Sequence, residues 1–524
     1  MSWSDQGARQ RIIASMSNIP SISVRRYAED YLPEFMQKRQ LLLDAKQEPS
    51  PPLFKLPVDQ AVLVETVQIY LTMVNYDEYR LEEGSESERS QEKALRFLHL
   101  YYSACDRVAE KTSAQRVDFH GARMHAAILS DDPSTPPHQS VAEALDFIKE
   151  FQAVAEEANR LLANSDFSAE FRIGIDVGTC VAINNGTGSE QEPMFLGSAA
   201  NHAAKLAEGD EAGIYISDRV RTILDMTPVG QREFHDSVGD NLIEGIVAGA
   251  IGKRSGVKLA TNVIDEWRSD IQKNAQFDPT SPHFVFSHKA SPFSDIDFED
   301  VSPSKSIRMP LLSTYADIDG YTAYIDQCIA DSEVANAVKA LYVLRREFQA
   351  VVEDDFGGKK IRFIGDCIHA VNAEATNFDT DSRATLDIGA KCAGALHSSF
   401  KICQEELQYI DELGLAIGLE YGVTPISKIG IRGERAVRVA SSVATTESER
   451  LQRDCERGET RFGVKAIAQM GGDLRHIVST DGLVPELTYA DVCTALSEQE
   501  DSTSTFVYAQ PRSPQPARAH LTNE

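Results

Sequence analysis

The chain has 524 residues, 42% apolar and 25% charged, which suits about two to four soluble domains with real cores. Its formal net charge of −28 argues against DNA, RNA or an anionic membrane surface as the main partner, but not against a nucleotide held by divalent cations. The eight cysteines form no C-x-x-C pair, no signal peptide opens the chain, and no apolar run nears the ~20 residues of a membrane span, so a reduced, cytoplasmic protein is expected.

In chain order, residues 1–55 read as an N-terminal extension with a helix over Arg25–Leu43, closed by the Pro-rich break Gln47–Leu53. A β-branched strand is expected within Val58–Asn75, a polar loop over Glu82–Ser90, and a helix over Gln91–Lys111. Arg116–Leu129 has the shape strand, tight glycine, strand. A long amphipathic helix covers Ser140–Asn164, and a strand covers Phe171–Ile183. Met194–Gly209 runs from strand through Gly197 into helix, and Gly213–Ser217 is a further strand. The Ser/Pro/Asp-rich stretch 265–305 reads as a linker or loose connector, and the polar tail after about Glu498 as disordered.

The same order of elements then repeats. A strand runs through Thr314–Asp317 and turns at Gly320 into a helix; a second helix spans Asp331–Asp354; a hairpin covers Lys360–Val371; a helix covers Ala384–Leu407; and a strand covers Leu413–Val423. Gly121 and Gly365 lie 244 positions apart, as do Gly174 and Gly418, and Gly178 and Gly422. Each copy exceeds the length of a solenoid repeat, so two homologous α/β domains are expected, at 56–264 and 306–490, followed by a tail at 491–524. Asp317 ends a strand and Asp366 stands at a hairpin tip. If those strands are neighbours, the carboxylates converge beside a turn whose backbone N–H groups suit phosphate, a candidate divalent-metal site.

The motifs ADIDGYT, FIGD and AIGLEYG together resemble the successive motifs of class III nucleotidyl cyclases, over roughly residues 58–230 and 306–480. The resemblance implies two ferredoxin-like βαββαβ domains, class α/β (α+β), packed head to tail within one chain as a pseudo-heterodimer or between two chains as a homodimer. It implies metal ligands at Asp317, Asp366 and the Ile318 carbonyl for two divalent ions (Mn²⁺ or Mg²⁺), and phosphate-binding N–H groups at Asp319, Gly320, Tyr321 and Thr322. The family's helix motif maps onto Gly197–Lys205, with Asn201 for the ribose and Lys205 in place of the transition-state arginine. In the first copy the metal positions fall near Thr66 and on Ala122. In the second copy the helix motif maps onto Gly433–Ser442, with neither the Asn nor the Arg restored. One composite site and one dead mirror site are expected.

At the base-selecting positions stand Asp118 and Ser198, which do not form an adenine pair. Asp118 suits the N3–H of uracil and Ser198 one of its carbonyls, while guanine N1–H is also an acceptable donor and cytosine remains open through its amino group. With Lys205 and the tandem architecture, the chain is similar to the pyrimidine cyclases of bacterial anti-phage (Pycsar) systems. That implies UTP as substrate, no nucleic acid or membrane partner, and an effector that senses the cyclic product. A guanylate cyclase and an inactive nucleotide-binding regulator are the alternatives. Arg362, at the second copy's Asp118 position, falls on the dead side. His120, His125 and His369 read as structural, and Lys253, Arg254 and Lys258 as a solvated turn.

Overall fold

The computed structural model describes residues 2–19, 21–47, 50–130, 132, 134–161, 168–184, 193–250, 265–266, 284–430 and 436–503. Lys253, Arg254, Lys258 and the final stretch 504–524 lie outside them. Two twin sheets organise the described residues. The first half contributes β1 (Ser23–Arg26), β2 (Gln60–Met73), β3 (Ala114–His120), β4 (Arg123–Ile128), β5 (Phe171–Asn184), β6 (Pro193–Leu196) and β7 (Gly213–Ile216). The second contributes β8 (Phe286–Ser287), β9 (Ser306–Asp319), β10 (Lys359–Ile364), β11 (Cys367–Asn372), the small pair β12 (Glu374–Ala375) and β13 (Thr380–Asp381), β14 (Gly414–Ile429), β15 (Val437–Ala440), β16 (Glu459–Phe462) and β17 (Leu483–Pro485).

The first sheet runs β3-β4-β2-β5-β6, with β1 parallel to β2 and β7 parallel to β5; the second runs β10-β11-β9-β14-β16-β17, with β8 parallel to β9 and β15 on β14. The order strand, helix, hairpin, helix, strand in each half is the expected βαββαβ unit. Its helices are Glu88–Lys111 and Pro137–Leu161 in the first half, and Val334–Ala350 and Ser382–Leu407 in the second. Even the bulges match: register shifts between Arg116 and Asp118 in one hairpin and between Lys360 and Arg362 in the other.

The repeated glycines have a packing cause. A Cβ on Gly174 would lie 2.1 Å from the Ala203 carbonyl oxygen, and one on Gly418 would lie 2.2 Å from that of Ser448. Only glycine lets the helices Ser198–Leu206 and Val443–Arg453 lie against β5 and β14. The first of these helices carries Asn201.

The two halves meet through side-chain contacts. Asn201 of the first half meets Thr322 of the second at 2.9 Å, and on the mirror side Arg80 of the first meets Thr446 of the second at 3.0 Å. The two hairpins touch each other between these points, Arg362 bonding to Asp118 and to the Phe119 carbonyl.

Several expected segments differ in the structure. Arg25–Leu43 is not one helix: β1 comes first, and Tyr27–Tyr31 then leads into the helix Leu32–Asp44. Ahead of it stands the helix Asp5–Asn18, which packs on the second half rather than on the adjoining first half. Trp3 Nε1 donates to Ser399 Oγ at 2.9 Å, and Arg11 pairs with buried Glu347 at 2.7 Å and with Asp355 at 2.8 Å. The N-terminal arm therefore spans both halves. The described part of the connector is not loose. It contributes β8 and buries Phe293, Ile296, Phe298 and Val301 under the second sheet. The helix Tyr489–Thr503 runs past Glu498, where the tail was expected to be disordered.

Candidate active site

The site grows from the ends of β9 and β11. These strands are antiparallel neighbours, with Ile368 opposite Ala316. Asp317 follows Ala316, and Asp366 stands in the turn just before β11, so the two acids stand at the same end of neighbouring strands. Burial, then the charges of Asp366 and Asp319, pushes the Asp317 carboxyl well above its ordinary range, although the Ile318 N–H and Gln452 side chain bond to it. Asp366 is pushed up to about 6 by burial, countered by its own backbone N–H and by Arg345, with Asp319 adding repulsion. Two mutually repelling, half-buried carboxylates are a hard-oxygen donor set that a divalent cation would relieve. Ile318 is buried between Asp317 and Asp319. Among the described residues no group of three or more His, Cys, Asp and Glu side chains is placed to hold a metal, so an ion here would take its other ligands from backbone, water or substrate.

Next to this pair the chain turns. Gly320 has φ +82° and opens the helix Tyr321–Ala330, whose first N–H groups lack intrahelical acceptors. Asp319 is exposed, and its carboxylate is 3.8 Å from Arg457. Tyr321 contributes backbone here, because its buried hydroxyl donates to the Ala337 carbonyl at 3.0 Å. Thr322 accepts the bond from Asn201.

The first half faces this turn with the helix Ser198–Leu206. The Ser198 N–H donates to Asp326 of the second half at 2.9 Å, while Arg219 donates to Ser198 Oγ at 3.1 Å. Lys205 lies four residues after Asn201, hence on the same helix face, with an exposed side chain. The structure thus brings together Asp317, Asp366, the turn 319–322 and the helix carrying Ser198, Asn201 and Lys205.

Three sequence readings need correction. Asp118 is not an open acceptor, since Arg362 bonds its Oδ1; Arg362 therefore lies against the proposed base-reading residue and not on a remote dead side. Among the described residues Asp118 bonds to Arg362, and Ser198 to Arg219 and Asp326, while Val117 and Phe195 near them in the chain belong to one apolar cluster. Strand register also moves the mirror-site equivalents. Asp317 pairs with Ala416 as Thr72 pairs with Arg172, so its counterpart is Thr72, not a position near Thr66. Finally, Val437–Ala440 is β15, and the second-half helix begins only at Val443. The contacts of Gly174 and Gly418 align Ala203 with Ser448, which places Thr446 opposite Asn201 and Arg450 opposite Lys205. The mirror position keeps its arginine. What the mirror positions lack is the acid pair and the asparagine: Thr72 and Ala122 stand where Asp317 and Asp366 do, and Thr446 where Asn201 does.

Sequence reasoning missed Arg345, Arg219 and Asp326. Arg345 had a signal, because with Leu341, Leu344 and Phe348 it occupies the i, i+3, i+4, i+7 stripe of an apolar helix face. Arg219 and Asp326 had none, since each acts through a partner distant in sequence.

Residues 72–251 match the family model for the adenylate and guanylate cyclase catalytic domain. A uridylate cyclase of a Rhizobium species is 39% identical over 489 residues, covering 91% of this chain and 92% of that protein. A uridylate cyclase of Pseudomonas aeruginosa is 29% identical over 515 residues, covering 96% and 93%. The crystal structure of a class III adenylyl cyclase-like ATP-binding protein from Pseudomonas aeruginosa superposes with a TM-score of 0.84 at 29% identity, covering 95% of this chain and all of that one.

Proposed function

The chain belongs to the class III nucleotidyl cyclase family, and from that premise we propose that it converts UTP to cyclic UMP and pyrophosphate. The observation that carries the reading is the split site. The paired acids and the phosphate turn come from the second half, and the Asn201–Lys205 helix from the first, joined by the Asn201–Thr322 bond. The substrate is proposed from the two relatives named uridylate cyclase together with the chemistry of Asp118.

Asp317, Asp366 and the Ile318 carbonyl would hold two divalent ions, Mn²⁺ or Mg²⁺, which when bound supply Lewis acidity toward the ribose 3′-hydroxyl and the triphosphate. The N–H groups of the turn 319–322 hold the β- and γ-phosphates at the positive end of their helix. Asn201 orients the ribose so that its 3′-oxygen faces the α-phosphorus opposite the pyrophosphate oxygen. A new P–O bond then forms as the bond to pyrophosphate breaks, and the 3′-hydroxyl proton passes to solvent. Lys205 neutralises charge gathering on the phosphorus oxygens, as a point charge rather than a planar fork. Arg362 holds Asp118 Oδ1, which leaves Oδ2 to accept N3–H of uracil. Ser198 accepts from Arg219 and donates its own hydrogen to a uracil carbonyl.

The proposed role of the product is a second messenger in anti-phage defence, read by a separate effector. A second reading, nucleotide binding without turnover, is favoured by the solved relative described as ATP-binding. Incubating the protein with Mn²⁺ and each of the four NTPs, with products identified by mass spectrometry, separates the two. Cyclic UMP is expected from UTP; binding with no cyclic product from any NTP supports the second reading, and cyclic GMP or cyclic CMP alone replaces the substrate assignment.

A further inference from the structure

Each half holds its hairpin tip from below by one side chain of the helix that precedes the hairpin. In the first half the Tyr102 hydroxyl, on the helix Glu88–Lys111, donates to the Gly121 carbonyl at 2.5 Å. In the second, Arg345 Nη2, on the helix Val334–Ala350, donates to the Gly365 carbonyl. Gly121 and Gly365 are the matching turn residues of twin hairpins. The two anchors perform one mechanical task with different chemistry. The neutral phenol stands beneath Ala122 and the cation beneath Asp366.

That difference is costly unless it serves something. Arg345 is only 2% exposed, and its guanidinium carbon lies 4.4 Å from the centroid of the Phe363 ring. Burying a guanidinium carries a desolvation penalty that a tyrosine avoids, and nearby carboxylates offset it. The charge of Arg345 reaches both Asp366 and Tyr321. Tyr321 in turn is bonded to Ala337 on the same helix as Arg345. One helix therefore braces both the acid-bearing hairpin and the phosphate turn.

We propose that Arg345 is a positioning residue for the divalent-metal site, setting the Gly365–Asp366 turn so that Asp366 meets Asp317 at a common ion. It touches neither ion nor substrate. Because Asp366 follows Gly365 directly, a rotation of that peptide swings the carboxylate, and a misplacement of about 1 Å is enough to spoil a ligand set. The inference rests on the metal reading of Asp317 and Asp366.

The test is Mn²⁺ binding to the full chain without nucleotide, read from the electron paramagnetic resonance signal of free Mn²⁺. Arg345→Met is expected to weaken binding by about tenfold or more. Arg345→Lys, which keeps the charge but shortens the reach, should lose about threefold to tenfold. Tyr102→Phe should lower the melting temperature without changing Mn²⁺ affinity, because the turn it holds, Gly121–Ala122, bears no acid. Unchanged affinity in the Arg345 variants overturns the proposal, as does an equal loss in Tyr102→Phe, which would mark a general packing effect. If the Met variant does not fold, the Lys variant decides alone. Unchanged affinity in Asp366→Asn is a different failure, because it removes the metal reading itself.

Discussion

Asp366 should cost the metal-free protein stability, and Asp366→Asn measures how much. Its carboxyl is raised from an ordinary 3.8 to about 6, chiefly by burial. At 1.36 kcal/mol per pKa unit the shift corresponds to about 3 kcal/mol; sharing of charge with Asp317 makes about 2 kcal/mol the better expectation. A carboxylate whose folded pKa is raised destabilises the fold where it is ionised, above about pH 6. The penalty shrinks as pH falls through that value and is gone below the unfolded value near 4. In EDTA at pH 7.5, Asp366→Asn should therefore be more stable than wild type by about 2 kcal/mol, a gain that fades as the pH is lowered toward 4. Denaturant melts at several pH values provide the measurement, with cyclase activity assayed in parallel and expected to vanish. A variant less stable than wild type at pH 7.5, or one whose difference from wild type is independent of pH, would refute the reasoning. A variant with retained turnover would refute the role of Asp366.

Lys205→Ala should lower kcat by about 10²- to 10³-fold with a smaller change in KM, because the charge it meets develops mainly in the transition state; steady-state kinetics resolve the split. Asp118→Asn replaces an acceptor by a group that can also donate, so the ratio of cyclic CMP to cyclic UMP formed from mixed CTP and UTP should rise by at least about tenfold. Ala122→Asp should yield no second site, since Thr72 still supplies no carboxylate even though Arg450 is in place; a doubling of bound Mn²⁺ per chain would contradict this. Arg11→Ala leaves Glu347, with 1% of its side chain exposed, without its guanidinium partner, and should cost about 2–4 kcal/mol in denaturant melts.

Among the features legible beforehand, the twin hairpins and the strand-to-helix turn at Gly320 stand out. Both are written in short-range pattern: alternation of apolar residues and a glycine where the backbone must turn. The pair Asp317 and Asp366 could be nominated for the same reason, since each sits at a recognisable strand end. The second-half helix begins after the stretch Gly433–Ser442 onto which the motif maps, because β15 and the start of Val443–Arg453 share one polar, β-branched run. Only the close approach of Ser448 to Gly418 fixes the register. The first-half counterpart of Asp317 reads as near Thr66 for a similar reason: in a strand of 14 residues, the position equivalent to Asp317 is fixed by pairing with the neighbouring strand, not by spacing along one chain.

The sequence by itself determined the elements, their repetition and the unequal placement of acids between the two copies, because these depend on residues within a few positions of one another. Tertiary structure alone decided what each charged group faces. Asp118 meets Arg362, which lies 244 residues away; Arg345 holds a turn residue 20 positions further on; and the N-terminal helix docks on the second half. A carboxylate or guanidinium has no fixed role until burial and partner are known. Both arise only when segments remote in sequence are brought together and water is removed between them.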